Sequence, residues 1–267
     1  MKIAIICPKP SLASKNIKEH LIKLYPFENK KDFYELKTKD KKIRIYSPEK
    51  RSVSHENIDE EITADLFIFA TTHRSKSQIP SLSAHIQGNW AKAELGGKDK
   101  QLCAAPAAYI KEAIKKLEEL AQGTHYDVVQ ECTHHGPYMK KPVFFIEIGS
   151  NEKEWQNKDA GEIIAKTIMH VLTMKIPVYQ TAVGIGGLHT MTSFKKIIIN
   201  SGIAIGHSCP KYMLEYLDKE MIVQALEKTE PKADLIIVNW KGLGTEKARI
   251  MNILEELNVK WKKTKEF

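Results

Sequence analysis

Tyr126-Asp127-Val128-Val129-Gln130-Glu131-Cys132-Thr133-His134-His135-Gly136-Pro137 is the stretch whose reading decides the fold. An apolar run leads into Glu, Thr and two adjacent histidines, and Gly-Pro stops it. Such an end is poor packing material and good material for chemistry at a strand tip. We read 126–132 as a strand that delivers the polar cluster to its carboxyl end. In α/β sheets, ligands bind beyond the carboxyl ends of the strands. The same position is therefore the place to search on every other strand.

Working outward, Val143 to Ile148 reads as the next strand, with Glu147 in an apolar context. Leu66-Phe67-Ile68-Phe69-Ala70 is a fully buried strand signal, and residues 2–7 give a shorter one. Residues 33–37 and 42–46 look like strands joined by a turn at 39–42, and 48–61 is a polar loop or frayed helix. Val178 to Val183 runs into Gly184-Ile185-Gly186-Gly187. Ile203 to Ile205 ends at Gly206-His207, and Leu235 to Val238 is the last strand. Thr71 to Gln101 has little periodicity and is expected to be a long functional loop.

Between these strands lie helical patterns. Ser14 is placed to cap a helix with Ile17, Leu21 and Leu24 on one face. Pro106 starts another, whose stripe is Ile110, Ala113, Ile114, Leu117 and Leu120, with Gly123 closing it. Asp159 and Glu162 make a capping-box-like start to a helix that turns Ile163, Ile164, Thr167, Ile168 and Val171 inward. Residues 217–228 and 245–257 complete the set. Alternating β and α with buried strands predicts an α/β fold: a mixed, largely parallel sheet with helices on both faces. Residues 1–267 are expected to form a single α/β catalytic unit, with a smaller, lysine-rich N-terminal lobe over about 1–62 as an option within it.

The 42% hydrophobic and 28% charged content of the 267 residues is ordinary for a globular protein. The net charge of +8 favours anionic partners, nucleic acid first, although a lysine-rich surface also serves solubility and thermostability. Pro8 and Lys9 end the first apolar run too early for a signal peptide, and no stretch approaches the roughly 20 apolar residues of a membrane span. The expected location is cytoplasmic. Cys7, Cys103, Cys132 and Cys209 are far apart, which argues against a zinc ribbon or a disulfide framework and reads as buried thiols.

Four polar clusters each follow directly on a predicted strand: His73, Glu131–His135, Gly184–His189 and His207. A lone histidine is more often scaffold than ligand. Several at strand ends favour function, because imidazole is both the acid/base of neutral pH and a common metal ligand. On a regular strand His134 and His135 would face opposite ways, and only a bend at Gly136-Pro137 would turn both inward. Glu147 is either salt-bridged to a lysine or arginine, or a metal ligand, an orienter of a histidine, or a general base. Gly184-Ile185-Gly186-Gly187 lacks the third glycine of a dinucleotide fingerprint. It is a tight turn or a loop whose N–H groups approach a phosphate or oxyanion. Arg74-Ser75-Lys76-Ser77 and Lys98-Asp99-Lys100, with Asn89 and Trp90, suit phosphate contacts and base stacking, or are simply solvated.

Several of these stretches together resemble the archaeal and plant type of D-aminoacyl-tRNA deacylase. They are His73-Arg74-Ser75-Lys76-Ser77-Gln78-Ile79-Pro80 with His85-Ile86-Gln87-Gly88-Asn89-Trp90, Glu131 to Pro137, and Phe145-Ile146-Glu147-Ile148-Gly149-Ser150 with Trp155. Ala160-Gly161-Glu162, Gly184-Ile185-Gly186-Gly187 with His189, Gly206-His207 with Pro210-Lys211-Tyr212, and Trp240-Lys241-Gly242 follow in the same order over roughly 65–245. Ser208-Cys209 departs from the pattern. The resemblance implies hydrolysis of the ester between a D-amino acid and the tRNA 3′ end, a fold related to the phosphorylase and peptidyl-tRNA hydrolase architecture, and bound zinc.

On this reading His134 or His135 acts as base, with Glu131 and Glu147 in the catalytic set, or zinc held by histidines and Glu131 activates the water. His73, His85, His189 and His207 are the candidate metal ligands. Gly186 and Gly187 serve the oxyanion, Lys76 and Lys211 neutralise tRNA phosphates, and Trp90 stacks on a base. A wall that an L side chain would strike enforces chirality. The tRNA acceptor end is the expected partner, with no membrane and no other protein, and the chain is a monomer or homodimer. The rival readings are a nucleoside phosphorylase-like enzyme or phosphate-ester hydrolase, and a tRNA-binding protein without catalysis.

Overall fold

The computed structural model describes residues 1–267. In chain order it comprises β1 (Lys2–Ile6), α1 (Leu12–Leu24), β2 (Glu28–Asn29), β3 (Tyr34–Lys37), β4 (Lys42–Tyr46), α2 (Ile58–Glu61), β5 (Leu66–Thr72) and β6 (Ser81–His85). There follow β7 (Ala105–Pro106), α3 (Ala107–Leu120), β8 (Asp127–Gln130), β9 (Val143–Gly149), α4 (Glu152–Trp155) and α5 (Lys158–Thr173). The last third holds β10 (Gln180–Gly187), α6 (Lys195–Asn200), β11 (Ile203–Pro210), α7 (Lys219–Lys228), β12 (Thr229–Glu230), β13 (Leu235–Val238), α8 (Lys247–Glu256) and β14 (Lys260–Lys263).

Two sheets carry the site. The larger has the order β2-β3-β4-β1-β5-β9-β6-β8; β4-β1-β5-β9 and β6-β8 pair parallel, whereas β2-β3, β3-β4 and β9-β6 are antiparallel. The smaller, β11-β10-β13-β14, is wholly parallel. The expected mixed, largely parallel architecture is therefore present. The strands of the first sixty residues are continuous with the larger sheet. Its central strands are buried on both faces, which is why they read as unbroken apolar runs. Ile3, Ile5, Ile68 and Phe144 pack with residues of α1, α3 and α5. Ala4, Phe67, Phe69 and Phe145 face the other way, onto Ile58 of α2, Cys103 and Met139. No helix is long and apolar enough to cross a membrane.

Several sequence expectations are corrected. Ser11 caps α1, accepting from the Ser14 N–H at 3.1 Å, while Ser14 Oγ lies within the helix and donates to the Ala70 carbonyl at 2.6 Å. Leu24 is left at the surface. Asn157, not Asp159, caps α5 by accepting from the N–H groups of Asp159 and Ala160. Glu162 instead pairs with Lys166 one turn on. The stretch from Thr71 to Gln101 contains β6, an inner strand of the larger sheet. β10 begins only at Gln180, with Val178 97% exposed, and it includes the glycine run as strand rather than loop. β11 continues through His207 to Pro210, and β14 follows the strand expected to be last.

Candidate active site

β8 stops at Gln130, so strand alternation does not govern the residues after it. His135 takes a left-handed backbone conformation, φ 42°, which a β-carbon makes costly and which the surroundings must enforce. They do so by close backbone contact. The Gly136 N–H donates to the Leu95 carbonyl and the Gly88 N–H to the His135 carbonyl, both at 2.9 Å. A side chain on Gly136 would come within 2.2 Å of the Gly97 nitrogen. The bend turns both histidines inward. Their rings lie 4.4 Å apart, and that of His85, from the end of β6, lies 4.2 Å from His134 and 4.8 Å from His135.

Hydrogen bonds settle the tautomers of the pair. His134 Nδ1 donates to the Cys132 carbonyl at 2.8 Å, and His135 Nδ1 donates to the Gly136 carbonyl at 2.6 Å. A carbonyl only accepts, so each Nδ1 holds the proton and each Nε2 keeps a lone pair for a ligand. Burial, reinforced by the charge of His85, pushes His135 down to about 3 and holds His134 well below the ordinary imidazole range. Both rings are neutral at pH 7.

Two buried carboxylates face these rings. Glu131, 1% exposed, places Oε1 3.2 Å from His73 Nδ1 and Oε2 3.0 Å from His189 Nε2. Burial opposes its ionisation, but the His189 hydrogen bond and the charges of His73 and His85 hold the carboxyl well below the usual range. Glu147, on β9, has Oε2 3.5 Å from His85 Nε2 and 3.8 Å from His73 Nδ1. Its partners are imidazoles, so the lysine or arginine salt bridge is not what burial at this position serves. Burial lowers the His85 pKa, but Glu147, Glu131 and the Ile86 carbonyl together raise it above the ordinary imidazole value. His189 is likewise opposed by burial, yet its contacts with Cys132 and Glu131 lift it to about 10. Its Nδ1 meets the Tyr212 hydroxyl at 2.9 Å.

Three groups of side chains bring their ligand atoms within 4.8 Å of one another: His85, His134 and His135; Cys132, His134 and His189; and His73, Glu131 and Glu147. Two cavities reach the cluster. One, about 650 Å³, is lined by the turn from Pro8 to Leu12, Arg51, His73, Arg74 and Trp155. The other, about 870 Å³, is lined by Trp90, Lys92, Tyr212, Met213 and Tyr216. They meet at Leu95, His134 and His135, which line both.

Thus His73, His85, Glu131, His134, His135, Glu147 and His189 come together, and the remaining candidates do not. His207 is fully buried within β11, where Nε2 donates to the Cys103 carbonyl at 2.9 Å and Nδ1 accepts from Thr133 Oγ1 at 3.1 Å. No nitrogen is left for a metal. Trp90 is 2% exposed, and its indole N–H donates to the Thr133 carbonyl at 3.0 Å, so it braces the histidine loop instead of offering a free stacking face. Gly186 and Gly187 are buried in β10 and line neither cavity. A side chain on Gly187 would strike Phe194 at 2.7 Å, and one on Gly242 would strike the Gly186 carbonyl at 1.7 Å. Their bareness serves packing. Lys76 and Lys211 are exposed outside both cavities, and Arg51 and Arg74 line the first instead.

Pro8 to Leu12 and Arg51 are site residues that the sequence reading did not select, and Phe145 and Tyr212 lie in stretches it singled out without giving either residue a role. The strand-end rule, applied to β1 as well, finds the Pro8–Leu12 turn. Phe145 reads as core and is core, but its ring also lies 5.1 Å from both His85 and His135.

A mixed α/β scaffold with a buried imidazole–carboxylate cluster at its strand ends, open to two cavities, has the make-up of an enzyme. The profile of the D-aminoacyl-tRNA deacylase family matches residues 60–262, and the chain belongs to that family. It is 38% identical to a D-aminoacyl-tRNA deacylase of Methanosarcina barkeri, over 97% of this chain and 88% of that one. It is 36% identical to one of Thermococcus kodakarensis, over 98% and 99%. A crystal structure of a conserved protein of unknown function superimposes with a TM-score of 0.89 at 29% identity, covering 100% of this chain and 96% of the other.

Proposed function

We propose that the protein hydrolyses the ester between a D-amino acid, such as D-tyrosine, and the 3′ end of tRNA, releasing the free amino acid and tRNA. The observation that carries this reading is the meeting of two cavities at His134 and His135 in a member of this family. An aminoacyl ester has two arms leaving one carbonyl. The wall of Tyr212, Met213 and Tyr216 suits the amino-acid side chain, and Arg51, Arg74 and Trp155 suit the terminal nucleotides.

The residues fit a metal. His85 Nε2 is buried without a hydrogen-bond partner, as an atom awaiting a ligand would be. His85, His134 and His135 would hold zinc, with His73, Glu131 and Glu147 beside them. Bound there, zinc supplies Lewis acidity at the ester carbonyl. The chain's own groups do the rest. Glu147, which lines the first cavity, accepts the proton of the attacking water at Oε2. His189 gives its proton to the departing 3′ oxygen. Glu131 holds His189 and His73 in orientation.

The test is release of tyrosine from D-Tyr-tRNA and L-Tyr-tRNA. Faster release from the D ester is expected, and equal or absent release removes this reading. Elemental analysis before and after chelation tests the metal separately: full activity in metal-free protein rejects catalytic zinc.

A further inference from the structure

Trp240-Lys241-Gly242 has no task in the site described above, yet the fold places it beside that site. The four strands β11, β10, β13 and β14 run parallel, so their carboxyl ends lie on one side of the sheet. Tyr212 follows β11 and His189 follows β10; Trp240 follows β13, and β14 ends at Lys263. With neighbouring strands about 4.8 Å apart, the end of β14 lies roughly 10 Å from that of β10.

On this flank the Trp240 and Trp261 rings stack at 6.0 Å and 8°. Lys263 Nζ sits 4.2 Å from the Trp240 ring and 5.9 Å from that of Trp261, and Lys247 Nζ sits 4.7 Å from Trp240. Lys265 is exposed just beyond β14 and Trp261 is 36% exposed, whereas Lys260 and Lys262 alternate onto the opposite face of the strand, where Lys262 Nζ lies 5.5 Å from the Phe267 ring. The nearby carboxylates are engaged elsewhere. Glu246 pairs with Arg249, and Glu266 accepts the backbone N–H of Lys263. Lysines on an edge strand deter sheet-to-sheet pairing, but that purpose does not call for a half-buried Trp240 stacked on an exposed Trp261 with ammonium groups over the rings. Uncompensated positive charge interleaved with aromatic faces matches a nucleic-acid backbone.

We propose that this tryptophan–lysine surface, built from β14 and the residues after β13, binds the phosphate backbone of the tRNA acceptor arm while the ester lies at His134 and His135. The inference rests on the tRNA reading above. Its test uses the full-length protein and uncharged tRNA, whose binding is read by fluorescence anisotropy across a salt series without any turnover. The triple variant Lys247→Ala, Lys263→Ala, Lys265→Ala is expected to bind about tenfold more weakly. Its slope of log affinity against log salt should be shallower by about 2, from the loss of three phosphate contacts. Trp261→Ala is expected to weaken binding about tenfold as well. Both variants should raise KM for D-Tyr-tRNA and leave cleavage of D-tyrosyl-adenosine at the wild-type rate.

Unchanged affinity and salt slope overturn the proposal. So does an equal loss on D-Tyr-tRNA and D-tyrosyl-adenosine, since the effect then passes through the active site. If wild-type protein binds tRNA through this surface but releases no D-tyrosine, the hydrolase reading fails and the surface stands.

Discussion

His189 Nε2 lies 3.0 Å from Glu131 Oε2, and the same carboxylate's other oxygen lies 3.2 Å from His73 Nδ1. One buried anion thus orients two imidazoles that come from different sheets, His73 after β5 and His189 after β10. Removing the charge while keeping the shape isolates that function. Glu131→Gln should lower kcat/KM for D-Tyr-tRNA by about 10–100-fold, the usual effect of losing a group that orients site histidines. Activity within twofold of wild type would take Glu131 out of the machinery.

The same pair predicts opposite pH limits. The Glu131 pKa is depressed in the fold, so its contribution to stability is present above the ordinary carboxylate range and fades as acid protonates it. The His189 pKa is raised to about 10. Its contribution is complete below about 6.5, the value in an unfolded chain, and is lost as pH climbs through about 10. His189→Gln should therefore flatten the alkaline decline of the urea midpoint, and it should also soften the acid limb, because the His189 hydrogen bond is the largest of the contacts that depress Glu131. An unchanged alkaline limb would show that His189 carries no proton of consequence there.

Histidines inside and outside the cluster should separate by metal content. His85→Ala and His134→Ala remove members of the groups that converge within 4.8 Å, and each should lower zinc per chain together with activity. His207→Gln should leave zinc per chain unchanged, because both nitrogens of His207 are spent on Thr133 and Cys103. Its effect should be on stability. Burial pushes the His207 pKa down to about 3, so in acid the unfolded chain takes up a proton that the native ring refuses. That stability is complete above about pH 6.5 and drains away towards pH 3, with about 2 kcal/mol lost by pH 5. Denaturant titrations at pH 7 and pH 5 read it. Loss of zinc from the His207 variant would return the residue to the ligand set.

What could be read in advance followed from local chemistry. Leu66 to Ala70 and Val143 to Ile148 announce buried strands by composition alone, and the cluster at their ends follows from the topology rule. Neither β6 nor the true surroundings of His207 has a local signal. Ser81-Leu82-Ser83-Ala84-His85 lacks β-branched and aromatic residues and is a strand because β9 and β8 pair with its two edges. His207 was expected beyond a strand end, but β11 runs three residues past it, since the glycines at 184, 186 and 187 let β10 follow it through two register shifts. The inward turn of both His134 and His135 depends on contacts with the backbone of Gly88, Leu95 and Gly97, which lie roughly forty residues away in the chain.

Trp90 offers the sharpest contrast between a residue's type and its task. An indole in a basic loop invites a base-stacking role, yet the ring is buried in the second core with Leu102, Ile185 and Leu214, and its N–H holds the Thr133 carbonyl. Thr133 Oγ1 in turn accepts the Ser208 N–H at 3.1 Å and donates to His207, so the indole is the outer brace of the loop that carries His134 and His135. Trp90→Ala should cost about 3–5 kcal/mol of stability, as large-to-small changes in cores do. Trp90→Phe keeps most of the volume and should cost about 1–3 kcal/mol for the carbonyl left unpaired. At a temperature where the Phe variant is folded, its KM for D-Tyr-tRNA should match that of the wild type, with any loss confined to kcat through the loosened histidine loop. A raised KM with undiminished stability would make Trp90 a stacking platform after all.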